Sequence, residues 1–90
     1  MYRIEVSPAA YRDLEKLKER IQRHSLERLR AAIRSLAGEP RPRGVRKIMG
    51  AESAYRIRAG NYRVVYEVYD KENLVLILHV GRRTETTYRP

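Results

Sequence analysis

Apolar and polar positions alternate with period two at the start of the chain, in Tyr2-Arg3-Ile4-Glu5-Val6, which predicts a half-buried strand. Ser7-Pro8 follows as an N-cap with proline at the first helical position. The period then changes. Ala10, Tyr11, Leu14 and Leu17 form one helical stripe, but Ile21 is followed by Leu26, Leu29, Ile33 and Leu36, a five-residue step where three or four is expected. This slip predicts two helices, roughly 8–18 and 20–37, folded as an antiparallel hairpin and stopped by Gly38. A single long helix is the alternative, since neither Gly nor Pro interrupts the segment.

The second half returns to period two. A stiff connector, Glu39-Pro40-Arg41-Pro42-Arg43-Gly44, leads to a short strand near Val45–Ile48 and a turn around Gly50–Ser53. Residues 54–69 hold two alternating runs around Ala59-Gly60-Asn61, a β-hairpin signal. Asp70–Asn73 makes the next turn, and Leu74–Val80 is an almost wholly apolar run that suits a central strand covered on both faces. The expected fold is α+β, in the order β-α-α-β-β-β-β. An N-terminal strand and a helical hairpin precede a mainly antiparallel sheet, in one domain spanning residues 1–90. Tyr62, Val64, Tyr66 and Val68 are expected to face the helices, and Arg63, Val65 and Tyr69 the open side.

Register makes the hairpin chemically pointed. A turn centred on Gly60 and Asn61 sets Arg58 opposite Arg63, with Arg56 two residues along the same face. Like charges directly opposed in a sheet destabilise it by up to ~1 kcal/mol. Three guanidiniums held together suit a phosphate, which arginine binds bidentately while keeping its charge. The alternative is a structural network with Glu67, Glu52 or Glu85, but arginines outnumber these carboxylates.

Charge widens the picture. The 90 residues hold 20 Lys+Arg against 11 Asp+Glu, a formal +9, which favours a polyanion or an acidic protein as partner. Before residue 40 the two signs are interspersed, as on a water-facing helix. From Arg41 to Arg63 the bases Arg41, Arg43, Arg46, Lys47, Arg56, Arg58 and Arg63 face Glu52 alone. Cysteine is absent, which removes disulfides and thiolate metal sites. No run approaches the ~18 apolar residues of a membrane span and no signal peptide opens the chain, so a soluble cytoplasmic protein is expected. His24 reads as an exposed surface residue. His79, inside the apolar run, is either a partly buried histidine with one hydrogen bond or a proton carrier beside the arginines. Neither has acidic neighbours at ligand spacing, so no metal site and no cofactor are expected.

The run Tyr55-Arg56-Ile57-Arg58-x-Gly60-x-Tyr62-Arg63-Val64-Val65-Tyr66-Glu67-Val68 resembles the signature hairpin of the RelE/ParE superfamily of type II toxin–antitoxin toxins. Tyr2 to Leu17, Lys47-Ile48-x-Gly50 and Val80-Gly81-Arg82-Arg83 with the trailing Tyr88 resemble it too. The RelE branch, favoured by the pairing of Arg83 with Tyr88, implies a ribosome-dependent mRNA endoribonuclease in which a ribose 2′-OH attacks the adjacent phosphate without a metal. On that resemblance Arg58, Arg63, Arg83 and Tyr88 are the catalytic candidates, and Arg46, Lys47, Arg56 and Arg82 the RNA-binding ones. An antitoxin, acidic at least in its toxin-binding segment, is the implied protein partner in a hetero-oligomer, with mRNA on the ribosome as substrate. One departure matters. Some members carry lysine in the third-strand slots that hold Arg56 and Arg58 here, and arginine is a poor general base. Either His79, Glu67 or Tyr88 would then take the proton, or the ribosome and substrate would do more of the work through positioning. A gyrase-inhibiting ParE-type toxin and a non-catalytic nucleic-acid-binding module are the alternatives.

Overall fold

The computed structural model describes residues 1–82. Strand β1 (Arg3–Val6) runs into helix α1 (Pro8–Lys18) through Ser7, whose Oγ accepts the Ala10 N–H at 3.1 Å. Helix α2 (Arg23–Ser35) begins after Gln22, whose backbone is extended. The break has no Gly or Pro behind it. It lets the two out-of-phase apolar stripes face one core, so the helical hairpin forms with its second helix shorter at both ends than the pattern predicts.

Strands β2 (Arg46–Lys47), β3 (Ala54–Ala59), β4 (Tyr62–Tyr69) and β5 (Leu74–Arg82) complete a five-stranded sheet in the order β1-β5-β4-β3-β2. All neighbours are antiparallel except β1, which lies parallel to β5. Ala10, Leu29, Ile33 and Leu36 of the helical layer pack on Ile57, Val64, Tyr66, Val68, Val75, Ile77 and Val80 of the sheet. Tyr62, Val64, Tyr66 and Val68 therefore face the helices as expected. The apolar run lies inside the sheet but is covered on one face only, because Leu74, Leu76 and Leu78 remain half-buried. Among the described residues no helix is long and apolar enough to cross a membrane.

Two features place the side chains that matter. The connector before β2 is clamped: Tyr66, fully buried, donates its hydroxyl to the Pro40 carbonyl at 2.7 Å. Arg41 forks onto Asp70 at 3.1 and 2.8 Å and lies over the Tyr55 ring. Tyr2 donates to the same Asp70 carboxylate at 2.6 Å. Arg41, which the charge pattern groups with the open basic surface, thus belongs to a structural ion pair. The second feature is a bulge. Val65 pairs with His79 but Tyr66 pairs with Ile77, which leaves Leu78 as the extra residue. Strict alternation would send His79 to the core face with Val75 and Ile77. The bulge turns it to the open face and lets Val80 take the core position.

Candidate functional site

The hairpin turn works because Gly60 adopts a φ of 62°, a left-handed conformation natural to glycine. Arg58 is then paired with Arg63 and Arg56 with Val65, as the spacing predicts. Strand β2 adds a fourth guanidinium, since Arg46 pairs with Arg56 and so shares its face. Lys47 does not join them. It pairs with Tyr55, so the pleat turns it toward the opposite face. Of the two RNA-binding candidates on this strand, Arg46 therefore stands on the arginine face and Lys47 is turned away from it. A two-residue strand has no periodicity from which its register could be read.

Because β2 is so short, the outer edge of β3 is open beyond Arg56. A groove of about 500 Å³ lies there, lined by Arg43, Arg46, Arg56, Arg58 and Arg63, with Pro42 and Gly44 of the connector, Ile57, and Ala32 and Ser35 of α2. Among the described residues no acidic side chain lines it. Among the described residues, Arg43, Arg46, Arg56 and Arg58 have no carboxylate partner. Glu67, a candidate partner for them, instead accepts the Tyr69 hydroxyl at 2.6 Å. That hydrogen bond pushes the Tyr69 phenol above its usual range, which keeps it a donor. Five guanidiniums around one groove make a receptor for a polyanion with bidentate demands. Arg83, Tyr88 and Glu85 lie outside the described residues.

His79 has a partner that its sequence neighbourhood does not suggest. The Asp13 carboxylate of α1 lies 2.8 Å from Nδ1, and the same oxygen accepts the Val80 N–H at 3.0 Å. Strand β1 covers β5 only as far as Ile77, so beyond it the edge of β5 lacks a strand neighbour and Asp13 takes that place. Nδ1, facing a carboxylate, is the nitrogen that donates to Asp13. Among the described residues, Nε2 is buried and has no hydrogen-bond partner. His79 thus lies on the arginine face, diagonal to Arg63 because Gly81 occupies the position opposite that arginine. Asp13 escaped the sequence reading because the contact is long-range. Its one local sign is a carboxylate three residues from Ala10 and four from Leu17, within the apolar stripe of α1.

Comparison with known proteins adds a lineage to this geometry. Residues 4–87 match the family model described as the ParE toxin of the type II toxin–antitoxin system parDE. The Toxin RelE of Mycobacterium tuberculosis is 32% identical over 88 residues, covering 98% of this chain and 87% of its own length. Among solved structures, the toxin chain of the archaeal RelE–RelB complex from Pyrococcus horikoshii superposes with a TM-score of 0.76 at 28% identity, covering 94% of this chain and 98% of that one. The toxin–antitoxin complex RelBE2 of M. tuberculosis gives 0.74 at 26% identity, with 91% and 98% covered.

Proposed function

The chain belongs to the ParE toxin family of type II toxin–antitoxin systems, within the RelE/ParE superfamily, and from that premise we propose that it is an mRNA endoribonuclease acting on the ribosome. The observation that carries this reading is the acid-free arginine groove with a histidine–aspartate pair on the same sheet face. In the proposed reaction the 2′-hydroxyl of one nucleotide attacks the adjacent phosphorus. His79 is the base in this reading: Asp13 holds its ring at Nδ1, and Nε2, buried in the free protein, accepts the hydroxyl proton once the side chains that cover it part for the bound strand. Arg58 and Arg63 grip the phosphate and stabilise the extra negative charge of the pentacoordinate transition state. The P–O5′ bond breaks, and its oxygen recovers a proton, leaving a 2′,3′-cyclic phosphate and a 5′-hydroxyl. Arg46 and Arg56 hold the flanking backbone. Arg83 and Tyr88 enter the proposal through the family resemblance, as a third guanidinium and a hydroxyl near the reacting phosphate, and Arg82 as a further backbone contact.

The protein partner in this reading is a cognate antitoxin whose toxin-binding segment is acidic, as the +9 charge favours and as the RelE–RelB assemblies of its relatives suggest. Such a toxin works in the cytoplasm, where ribosomes translate. A second reading has its own support: the matching family model is described as ParE toxin, and a ParE-type protein would inhibit DNA gyrase without cutting RNA. Primer extension on mRNA from a translating lysate separates the two. Discrete cuts within codons, lost in Arg63→Ala with the fold retained, support the nuclease. Intact mRNA together with blocked gyrase supercoiling supports the inhibitor and overturns the nuclease.

A further inference from the structure

A second cleft lies on the helix side of the hairpin tip, and we propose that it binds a second backbone phosphate of the RNA strand whose scissile phosphate occupies the arginine groove. This cleft, about 510 Å³, is set between the α1–α2 corner and the turn. Arg20, His24, Arg28 and Arg82 line it with Gln22 and Asn61, and among the described residues no carboxylate does. Arg20, His24 and Arg28 are exposed, and among the described residues neither Arg20 nor Arg28 has an acidic partner. The Arg28 guanidinium lies over the turn itself, since a Cβ at Gly60 would come within 3.9 Å of one of its nitrogens.

Three observations select a phosphate. The lining is cationic and amide-rich with few apolar side chains, which suits a hydrated phosphodiester better than the apolar stripe of a partner helix. The two clefts are also neighbours along the hairpin. Arg58 and Arg63 line the first, and the intervening Ala59–Tyr62 segment walls the second. At ~3.4 Å per residue along a strand, the step between them is on the order of 10 Å or less, within reach of neighbouring phosphates on one strand. Finally, the neighbouring carboxylates do not enter the cleft: Glu15 pairs with Lys18 and Glu27 with Arg23, and Glu19, next to Arg20 in sequence, is not among the lining residues.

This inference rests on the nuclease reading, and the test separates the two. A fluorescent single-stranded RNA decamer with 2′-O-methyl riboses, which cannot be cut, is titrated with the full chain across a range of NaCl concentrations. A dinucleotide holding one phosphodiester is the second probe. The Arg20→Ala/Arg28→Ala double variant is expected to lower the salt slope for the decamer by about 1.4, the loss of two contacts at ~0.7 each on a single strand. Dinucleotide binding should stay at the wild-type value, and Arg20→Lys/Arg28→Lys should restore the decamer slope. Circular dichroism checks the fold of each variant. An unchanged decamer slope overturns the second site, and the nuclease reading survives if Arg58→Ala/Arg63→Ala still abolishes binding of both probes. Wild-type protein that binds neither probe overturns both. Normal RNA binding with weakened capture of an acidic peptide assigns the cleft to a protein partner and overturns the proposal.

Discussion

Asp13 on α1 and His79 on β5 meet at 2.8 Å, and the same carboxylate caps the Val80 N–H. One side chain therefore fixes both the ring and the free edge of the last strand. His79→Ala is expected to slow cleavage by ~10²–10⁴-fold, the usual worth of a positioned general base. Asp13→Asn keeps an acceptor for Val80 but removes the carboxylate that holds the His79 ring at Nδ1, so it should slow cleavage while leaving the melting temperature close to wild type. Asp13→Ala strips the cap as well and should cost about 1–3 kcal/mol of stability. Single-turnover cutting and thermal melting measure the two effects separately. Undiminished cutting by His79→Ala would remove histidine from the reaction.

Arg58 opposes Arg63 across the hairpin, a like-charge pair that costs stability. Arg58→Ala should raise the unfolding free energy by up to ~1 kcal/mol while weakening RNA binding. Denaturant unfolding beside anisotropy titrations checks this. A variant that is less stable and binds normally would show the arginine to be structural.

That opposition was legible in the sequence, and so was the face it occupies. A two-residue turn with glycine fixes register, and period two then assigns every neighbour, so the hairpin's geometry follows from local rules. Lys47 shows where such rules end, because two residues of strand carry no phase. Arg41 shows a different limit. Composition counts its charge but not its partner, Asp70, which stands 29 residues further along the chain, just past the end of β4. The bulge at Leu78 is also silent in the sequence, and without it His79 would be placed in the core rather than beside Asp13.

Tyr66 gives the protein an alkaline limit. Burial pushes its phenol above the ordinary tyrosine value of about 10, the neighbouring Tyr55 adding to the effect. The folded state thus keeps the proton that the unfolded state releases. Stability is fully present below about pH 10 and falls as pH rises beyond it, by at most ~1.4 kcal/mol per pH unit for this group. Tyr66→Phe removes the hydroxyl bonded to the Pro40 carbonyl and should cost ~1 kcal/mol at neutral pH. Its stability curve should converge on wild type above pH 10. Parallel curves in chemical denaturation across pH 7–11 would contradict the assignment.

Asp70 sets the acid limb. The Arg41 hydrogen bonds first, and that of Tyr2 second, hold its carboxyl below the usual carboxylate range. Its contribution is therefore present above about pH 4 and lost as pH falls below that value. Asp70→Asn should flatten the loss of stability below pH 4, and Arg41→Ala should mimic it while lowering the melting temperature at pH 7. Melting curves from pH 2 to 7 make the comparison.

The parallel pairing of β1 with β5 has a temporal meaning. The first strand made by the ribosome finds its ladder partner only in the last strand described. That last strand also supplies His79 and the second flank of β4. A nascent chain carries the hairpin arginines before the wall that holds the proposed base, which is absent until β5 has been made. Long-range closure of this kind is slow relative to local folding. A toxin built on it completes its proposed site only when β5 has closed the sheet on β1.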